Sequence, residues 1–364
     1  MKITVQRKVF ADALKMVTSI IPSRTPKPIL TCVQIVAIGD AIVIGGTDND
    51  IEISTSIAAD VKLDGESVIP AALLAQIVAS AECDDIDLEV NGTEARIKTP
   101  DSEFLIYGFD AQDYPASIAI DTEKSFTITA AQLAEMVGQT LFATADASSR
   151  YAINGLLIAA GKKKIEIVAT DGHVLALATQ PTASGREVPS FILPKRAAAI
   201  LSRSFAADDE LVISAAGGRF VATNGSGKTT ISGTCIDGAF PPYKDVIPKA
   251  CTTTVVVSRE DLKHAVQRAA LLVNEESKGV RLDIGQDGIK ITSRAPDKGD
   301  AEITLATQST NGPALTIGFN PFFLLDILKA SVAESVTIEF TKGNKPAAVK
   351  LPGFVAVIMP INLQ

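Results

Sequence analysis

Gly227-Lys228-Thr229, inside the stretch NGSGKTT at 224–230, has the residue types that close a phosphate-cradling loop of the form G-x-x-x-x-G-K-[ST]. In such a loop the backbone amides and the lysine hold nucleotide phosphates, and the first glycine stands five residues before the second. Here that place is taken by Ala222. The flanks disagree as well, because a phosphate loop follows a buried strand and opens a helix. RFVAT and KTTISGT are instead short β-branched runs about a Gly/Asn turn, and the spacing predicts a β-hairpin. Other catalytic groupings fare no better. Cys32, Cys83, Cys235 and Cys251 lack C-x-x-C spacing, His173 and His264 are far apart, and there is no G-x-S-x-G elbow. Neither a zinc site, a disulfide frame nor a hydrolase triad is expected, and no metal or cofactor.

The composition bounds what remains. Of 364 residues 46% are hydrophobic and 21% charged, enough apolar content to bury the cores of two or three domains. No apolar run reaches the ~18–20 residues of a membrane span, and MKITVQRK carries charge where a secretion signal would be apolar. A soluble cytoplasmic protein is expected. Thirty-four basic against 42 acidic residues leave a formal charge of −8. A protein that grips nucleic acid over a broad surface is usually basic, so any DNA contact here must be local or geometric.

The elements that must position any site come in three copies. ITVQRKVFADALKMV, FTITAAQLAEMV and VVVSREDLKHAV each read as a short strand, a polar residue and an amphipathic helix. Val5, Ile128 and Val257 end the strands at steps of 123 and 129 residues, and Phe10, Leu133 and Leu262 open the helix faces at the same steps. Thr129 with Gln132 has capping-box spacing, and Ser258 suits an N-cap. A second helix follows Pro70, Pro194 and Pro321, each expected at the first helical position, where no amide hydrogen is needed. Thr47 and Thr170, in AIVIGGTD and IEIVATD, are again 123 residues apart. Short alternating strands fill the intervals, so each repeat reads as two helices and many antiparallel strands.

This repeat plan, with KPIL (27–30), YAINGLL (151–157), VATDGHVLALA (168–178), FPPYKDVIPK (240–249), NEESKGVRL (274–282) and VIMPINL (357–363), resembles the bacterial replicative sliding clamp, the β subunit of DNA polymerase III. The resemblance covers the whole chain. It implies an α+β fold of three tandem DNA-clamp domains, 1–120, 124–248 and 252–364, each with two helices packed on antiparallel sheets. Two copies would close head to tail into a six-domain ring around duplex DNA. A ring holds DNA by topology, which explains how an acidic protein can be a DNA-binding one: sliding needs only weak phosphate contacts without sequence preference. The implied partners are duplex DNA, the DNA polymerase III α subunit, an ATP-dependent clamp loader and other proteins carrying a clamp-binding peptide. No enzymatic activity is implied.

The resemblance also assigns residues. Lys15, Lys195, Arg196, Arg203, Arg259 and Lys263 on channel helices, with Arg24 and Arg150 in loops, would meet DNA; Arg259, Lys263 and Gln267 form one helical stripe. A peptide pocket would use Ile153, Thr170, Gly172, His173, Val174, Leu175, Pro241, Val246, Ala348, Val357, Met359 and Pro360, apolar walls with a flexible methionine. Val174 and Asp245 stand where the family commonly has basic residues, which points to weaker binding of acidic peptides. At the ring seam, Phe104 and Ile106 on an edge strand would face Leu271 and Leu272. Two other readings compete: a divergent or accessory clamp, and a three-repeat peptide-binding scaffold that never encircles DNA.

Overall fold

The computed structural model describes residues 1–115, 124–146, 152–182, 187–274 and 278–362. The first third of the chain forms β1 (Lys2–Gln6), α1 (Arg7–Thr18), β2 (Cys32–Ile38), β3 (Ala41–Thr47), β4 (Ile51–Ala58), β5 (Asp60–Leu63), β6 (Gly65–Pro70), α2 (Ala71–Ser80), β7 (Asp85–Asn91), β8 (Glu94–Lys98) and β9 (Glu103–Tyr107). The middle third forms β10 (Ser125–Thr129), α3 (Ala130–Thr140), β11 (Gly155–Ala160), β12 (Lys164–Thr170), β13 (Val174–Pro181), β14 (Phe191–Pro194), α4 (Lys195–Ser204), β15 (Glu210–Ala216), β16 (Arg219–Asn224) and β17 (Thr229–Thr234). The last third forms β18 (Thr253–Ser258), α5 (Arg259–Ala270), β19 (Val280–Gly285), β20 (Gly288–Ala295), β21 (Gly299–Leu305), β22 (Ser309–Asn311), β23 (Leu315–Phe319), α6 (Pro321–Lys329), β24 (Ser335–Phe340), β25 (Ala347–Leu351) and β26 (Phe354–Ile358).

These elements make two compact units. The first, Met1–Ala131 with Arg203–Cys235, holds a five-stranded sheet in the order β5-β1-β7-β8-β9 and an eight-stranded sheet in the order β10-β15-β16-β17-β4-β3-β2-β6. The second, Gln132–Ser202 with Ile236–Gln364, holds a nine-stranded sheet, β14-β11-β12-β13-β26-β25-β24-β18-β22, and a four-stranded sheet, β21-β20-β19-β23. The strand pairings among the described residues are antiparallel. Each large sheet crosses from one repeat into another: β17 pairs with β4, and β26 with β13. Antiparallel sheets with a few packed helices give the α+β class that the repeats predict.

The repeated strand–helix unit follows from its apolar spacing. Ile3 and Val5 alternate inward on β1, and Phe10, Ala13, Leu14 and Val17 line one buried face of α1. That face packs on α2, β3 and β4. In the last third α5 packs likewise on α6, β20 and β21. Ser258 caps α5 by accepting a hydrogen bond from the Asp261 amide at 3.3 Å. Among the three prolines only Pro321 is the first residue of its helix. Pro70 closes β6 and caps α2, and Pro194 closes β14. A residue ending a strand needs extended ψ, and Pro70 has φ −52° and ψ 113°, which carries the chain straight from sheet ladder to helix.

The NGSGKTT stretch is a hairpin: Thr223 on β16 faces Thr230 on β17, and the Asn224 carboxamide accepts from the Thr229 amide at 3.0 Å. Gly227 has φ +70°, a left-handed turn conformation that favours glycine. The residues after Lys228 enter β17 rather than opening a helix.

Candidate peptide-binding site and basic helix faces

Thr47 and Thr170 begin the same hydrogen-bonded turn. The Thr170 hydroxyl donates to the Val174 carbonyl at 2.7 Å and accepts from the Gly172 amide; the Asp171 carboxylate accepts from the His173 and Val174 amides. In the first repeat Thr47 donates to the Ile51 carbonyl and accepts from Asn49, while Asp48 accepts from Asp50 and Ile51. Gly172 and Asn49 occupy matching positions with φ +90° and +79°. Such Thr-Asp turns satisfy the amides locally and launch the next strand in a fixed register.

That register builds an apolar floor. Thr170 faces Leu175, Leu175 faces Val357, and Val357 faces Ala348, one row across β12, β13, β26 and β25. Opposed residues share a face. A second row on the same face runs Leu157, Val168, Leu177 and Val355. Leu175, Leu177, Val168 and Val357 pack together with Tyr243, and Leu157, Phe240 and Ile247 border them. Tyr243 reaches this face from a short 3₁₀ turn, Tyr243–Asp245, and its ring meets Phe240 edge-on at 6.3 Å. Its hydroxyl donates to Glu166 Oε2 at 3.2 Å, and Glu166 also pairs with Lys164. Burial, with the neighbouring Glu166 charge, pushes the Tyr243 phenol up to about 12. Tyr243 therefore remains a neutral donor, pinning the 240–247 segment to the sheet.

Above this floor Val246 and Met359 are exposed at 43% and 39%, with Pro241 and Pro360 half-buried and Ile153 partly covered. The Met359 amide donates to the His173 carbonyl at 2.9 Å, and the His173 ring stacks on Phe323 at 5.9 Å. Thr170, Leu175, Ala348 and Val357 are thus brought together as a buried floor, and Val246 and Met359 as its open apolar rim. Val174 does not join them. It pairs with Ile358, faces the other side of the sheet from Leu175 and is buried there. Successive strand residues point to opposite faces, so Val174 and Leu175 cannot line one wall, and a basic residue at 174 is not part of this floor. Leu177, Tyr243 and Phe240 join this floor beyond the expected residues; alternation from Leu175 signals Leu177, whereas only the fold brings Tyr243 over β12.

The basic residues divide. Lys195 and Arg196 on the first turn of α4 and Arg203 on its last turn are exposed, as are Lys15 on α1 and Arg24 in the loop that follows it. Lys195 pairs with Asp146 at 3.2 Å. Arg259 departs from the expected stripe. Its side chain is only 16% exposed, its Nε donates to the Ala333 carbonyl at 2.8 Å and its Nη1 to the Leu328 carbonyl at 3.1 Å. These are carbonyls at and beyond the end of α6, so Arg259 ties two helices and is not a free cation. Lys263 is half-buried and pairs with Glu260, whose carboxyl is held below the usual range first by that hydrogen bond. Arg150 lies outside the described residues.

At the expected seam, β9 is a sheet edge. Phe104 is 38% exposed, whereas Ile106 on the same face is already buried within the protomer, at 6%. Leu105 and Tyr107 are exposed on the opposite face. Leu271, just past α5, is 76% exposed, while Leu272 is partly covered. A groove beside Leu271 runs between His264, Gln267 and Arg268 on α5 and the Thr304–Ala306 end of β21. Among the described residues no group of His, Cys, Asp and Glu side chains could hold a metal ion, and no helix is long and apolar enough to cross a membrane.

Two sheets that each run from one repeat into the next, with β9 and β21 at the edges of the two smaller sheets, define a three-repeat DNA clamp. The DNA polymerase III β-subunit N-terminal, central and C-terminal domains match residues 1–118, 127–242 and 244–362. The β sliding clamp of Pseudomonas aeruginosa is 30% identical over the full length of both chains, and that of Pseudomonas putida 29%. The crystal structure of the Pseudomonas aeruginosa DNA polymerase III β subunit superposes with a TM-score of 0.94, covering all of both chains at 30% identity; the Bacillus subtilis clamp gives 0.94 at 25%. The chain belongs to the DNA polymerase III β-subunit family, and its function is that of a DNA sliding clamp.

Proposed function

We propose that two copies of this chain close head to tail into a ring that encircles duplex DNA and tethers the replicative polymerase. The observation that carries this is the series of sheet seams. β17 on β4 and β26 on β13 are joined within the chain, while β9 and β21, the strands at the corresponding places of the first and last repeats, are sheet edges. Each copy offers one edge of each kind, so two copies pairing β9 with β21 complete two seams and leave neither of these two edges open. The exposed Lys15, Arg24, Lys195, Arg196 and Arg203 supply phosphate contacts that carry no base information. The divisions 1–120, 124–248 and 252–364 serve as the three domains of each half-ring.

The floor of Thr170, Leu175, Ala348 and Val357, rimmed by Val246 and Met359, takes a short apolar peptide from the polymerase, the clamp loader or other partners. Apolar anchors suit it, and no nucleophile–base pair stands there to transform a substrate, so the protein works as a non-catalytic tether in the cytoplasm. The test is retention of the loaded protein on closed circular DNA compared with the same DNA linearised. A ring stays on the circle and slides off the ends; equal loss from both forms would favour the peptide-binding scaffold.

A further inference from the structure

The internal repeats determine the register of the seam that this chain cannot make alone. In the first unit a ladder runs Thr4, Asp87, Lys98, Glu103. Its counterparts run Thr127, Val212, Thr223, Thr230 and Val256, Thr337, Lys350, Val355. Thr4, Thr127 and Val256 each precede the strand-ending Val5, Ile128 and Val257, so Glu103, Thr230 and Val355 are equivalent. The other ladder starts three residues before the second helix of each repeat. It runs Val68, Gln34, Gly45, Ser54; then Ile192, Leu157, Val168, Leu177; then Gly318, Arg281, Thr292, Glu302. Thr230 faces Ser54 across the first seam and Val355 faces Leu177 across the second. By the same ladder Glu103 faces the partner's Glu302.

We propose that the seam between two copies sets these carboxylates directly against each other, so that apolar packing closes the ring against a built-in charge repulsion. The inference rests on the homodimer reading above. The neighbouring row agrees with the register: Ile231 faces Ile53 and Ala356 faces Ala176, which sets the bulky, half-exposed Phe104 against the small Ala301 of the partner subunit. On the other face the next row sets exposed Leu105 against the partner's Asp300, since its counterparts Ser232 and Val357 face Glu52 and Leu175. The cations on this face lie outside the two edge strands. Arg96 and Lys98 on β8 hold Glu103, whose carboxyl the Arg96 hydrogen bond keeps below the usual range. Lys290 and Arg294 on β20 hold Glu302 and Asp300, at 2.7 and 3.5 Å. Each acid therefore keeps its cation on the side away from the seam, and the opposed side chains across the seam are of like charge, an arrangement that weakens a strand pair.

The experiment is subunit exchange between donor- and acceptor-labelled dimers, for the wild type, Glu103→Gln, Glu302→Gln and the double variant. Either single change removes the repulsion, so each slows exchange by roughly 2- to 30-fold for a ring with two seams. The double variant exchanges no more slowly than the slower single one, because one interaction is removed only once. Leu271→Ala, which should speed exchange, is the control for the homodimer reading. If it does so while the glutamine variants exchange at or above the wild-type rate, or if the two single effects add in the double, the facing-carboxylate inference falls and the ring stands. A wild type that is monomeric throughout overturns both.

Discussion

Replacing Leu271 by alanine isolates the apolar part of the seam from the stability of the protomer. Its side chain is 76% exposed in the single chain, so little of its burial contributes to folding. If the partner's β9 edge covers it, closure removes most of a leucine side chain from water, about 1.5–3 kcal/mol per seam. A two-seam ring then loses about 3–6 kcal/mol, a weakening of roughly a hundredfold to ten-thousandfold in the dimer constant. Leu272 is a poorer probe because it is already partly covered, and its truncation would disturb the protomer as well. The assay pairs sedimentation equilibrium with thermal denaturation at a concentration where the variant is monomeric. The expected result is a monomer at low micromolar concentration with nearly unchanged protomer unfolding. A variant that stays dimeric would place the seam elsewhere. One that loses protomer stability in step with association would mean Leu271 supports its own helix end.

Arg259→Met should lower the thermal midpoint through loss of two charge-assisted hydrogen bonds, about 1–3 kcal/mol, while leaving DNA retention no weaker than Arg196→Met does; the reverse order would return Arg259 to the DNA-facing set. Tyr243 titrates late, so its contribution to stability is complete below pH 10 and declines as pH rises towards about 12. Tyr243→Phe should remove that alkaline decline and one late-ionising phenol from a spectrophotometric titration; loss of a phenol that ionises in the ordinary range near 10 instead would refute the buried placement of Tyr243 beside Glu166. Val246→Ala with Met359→Ala should weaken a Leu/Phe-anchored peptide by about 1–3 kcal/mol in calorimetry without altering unfolding, since both side chains are exposed; unchanged affinity would remove them from the peptide rim.

Local patterns were legible wherever one short segment decides its own conformation. The NGSG hairpin, the Ser258 cap and the three strand–helix units all follow from neighbouring residues. The matching Thr47 and Thr170 turns show that the 123-residue step reflects real geometry, down to Gly172 standing where Asn49 takes the same left-handed turn. Failures came where a distant element decides. Helical spacing places Arg259, Lys263 and Gln267 on one stripe, yet Arg259 is drawn to carbonyls contributed 69 and 74 residues later. The family resemblance groups Val174 with Leu175, yet strand alternation separates them; β13 is buried on both faces, which hides the alternation in its unbroken apolar run. Ile106 reads as an exposed edge residue, but Ala95 opposite it on β8 leaves room for its side chain to fold into the protomer core.

The ladder seen at two seams within the chain recurs with different side chains in the proposed third, and chain connectivity explains why the third can differ in kind. Thr230 with Ser54 and Val355 with Leu177 lie in seams whose two strands belong to one polypeptide, so each strand meets its mate at a high effective concentration whatever the side chains contribute. Modest polar or aliphatic pairs suffice there. In the proposed ring the β9–β21 seam alone would depend on protein concentration, and only there would side-chain chemistry determine how long the ring stays closed. In the proposed ring, a seam held by Phe104 on β9 and by Leu271 beside the strand pair, but opposed by Glu103 and Glu302, would separate the two requirements of a clamp. The apolar contacts would supply association, and the facing carboxylates would limit its lifetime without disturbing the cores beneath. Lifetime can then change through exposed residues at 103 and 302, positions that contribute little to folding.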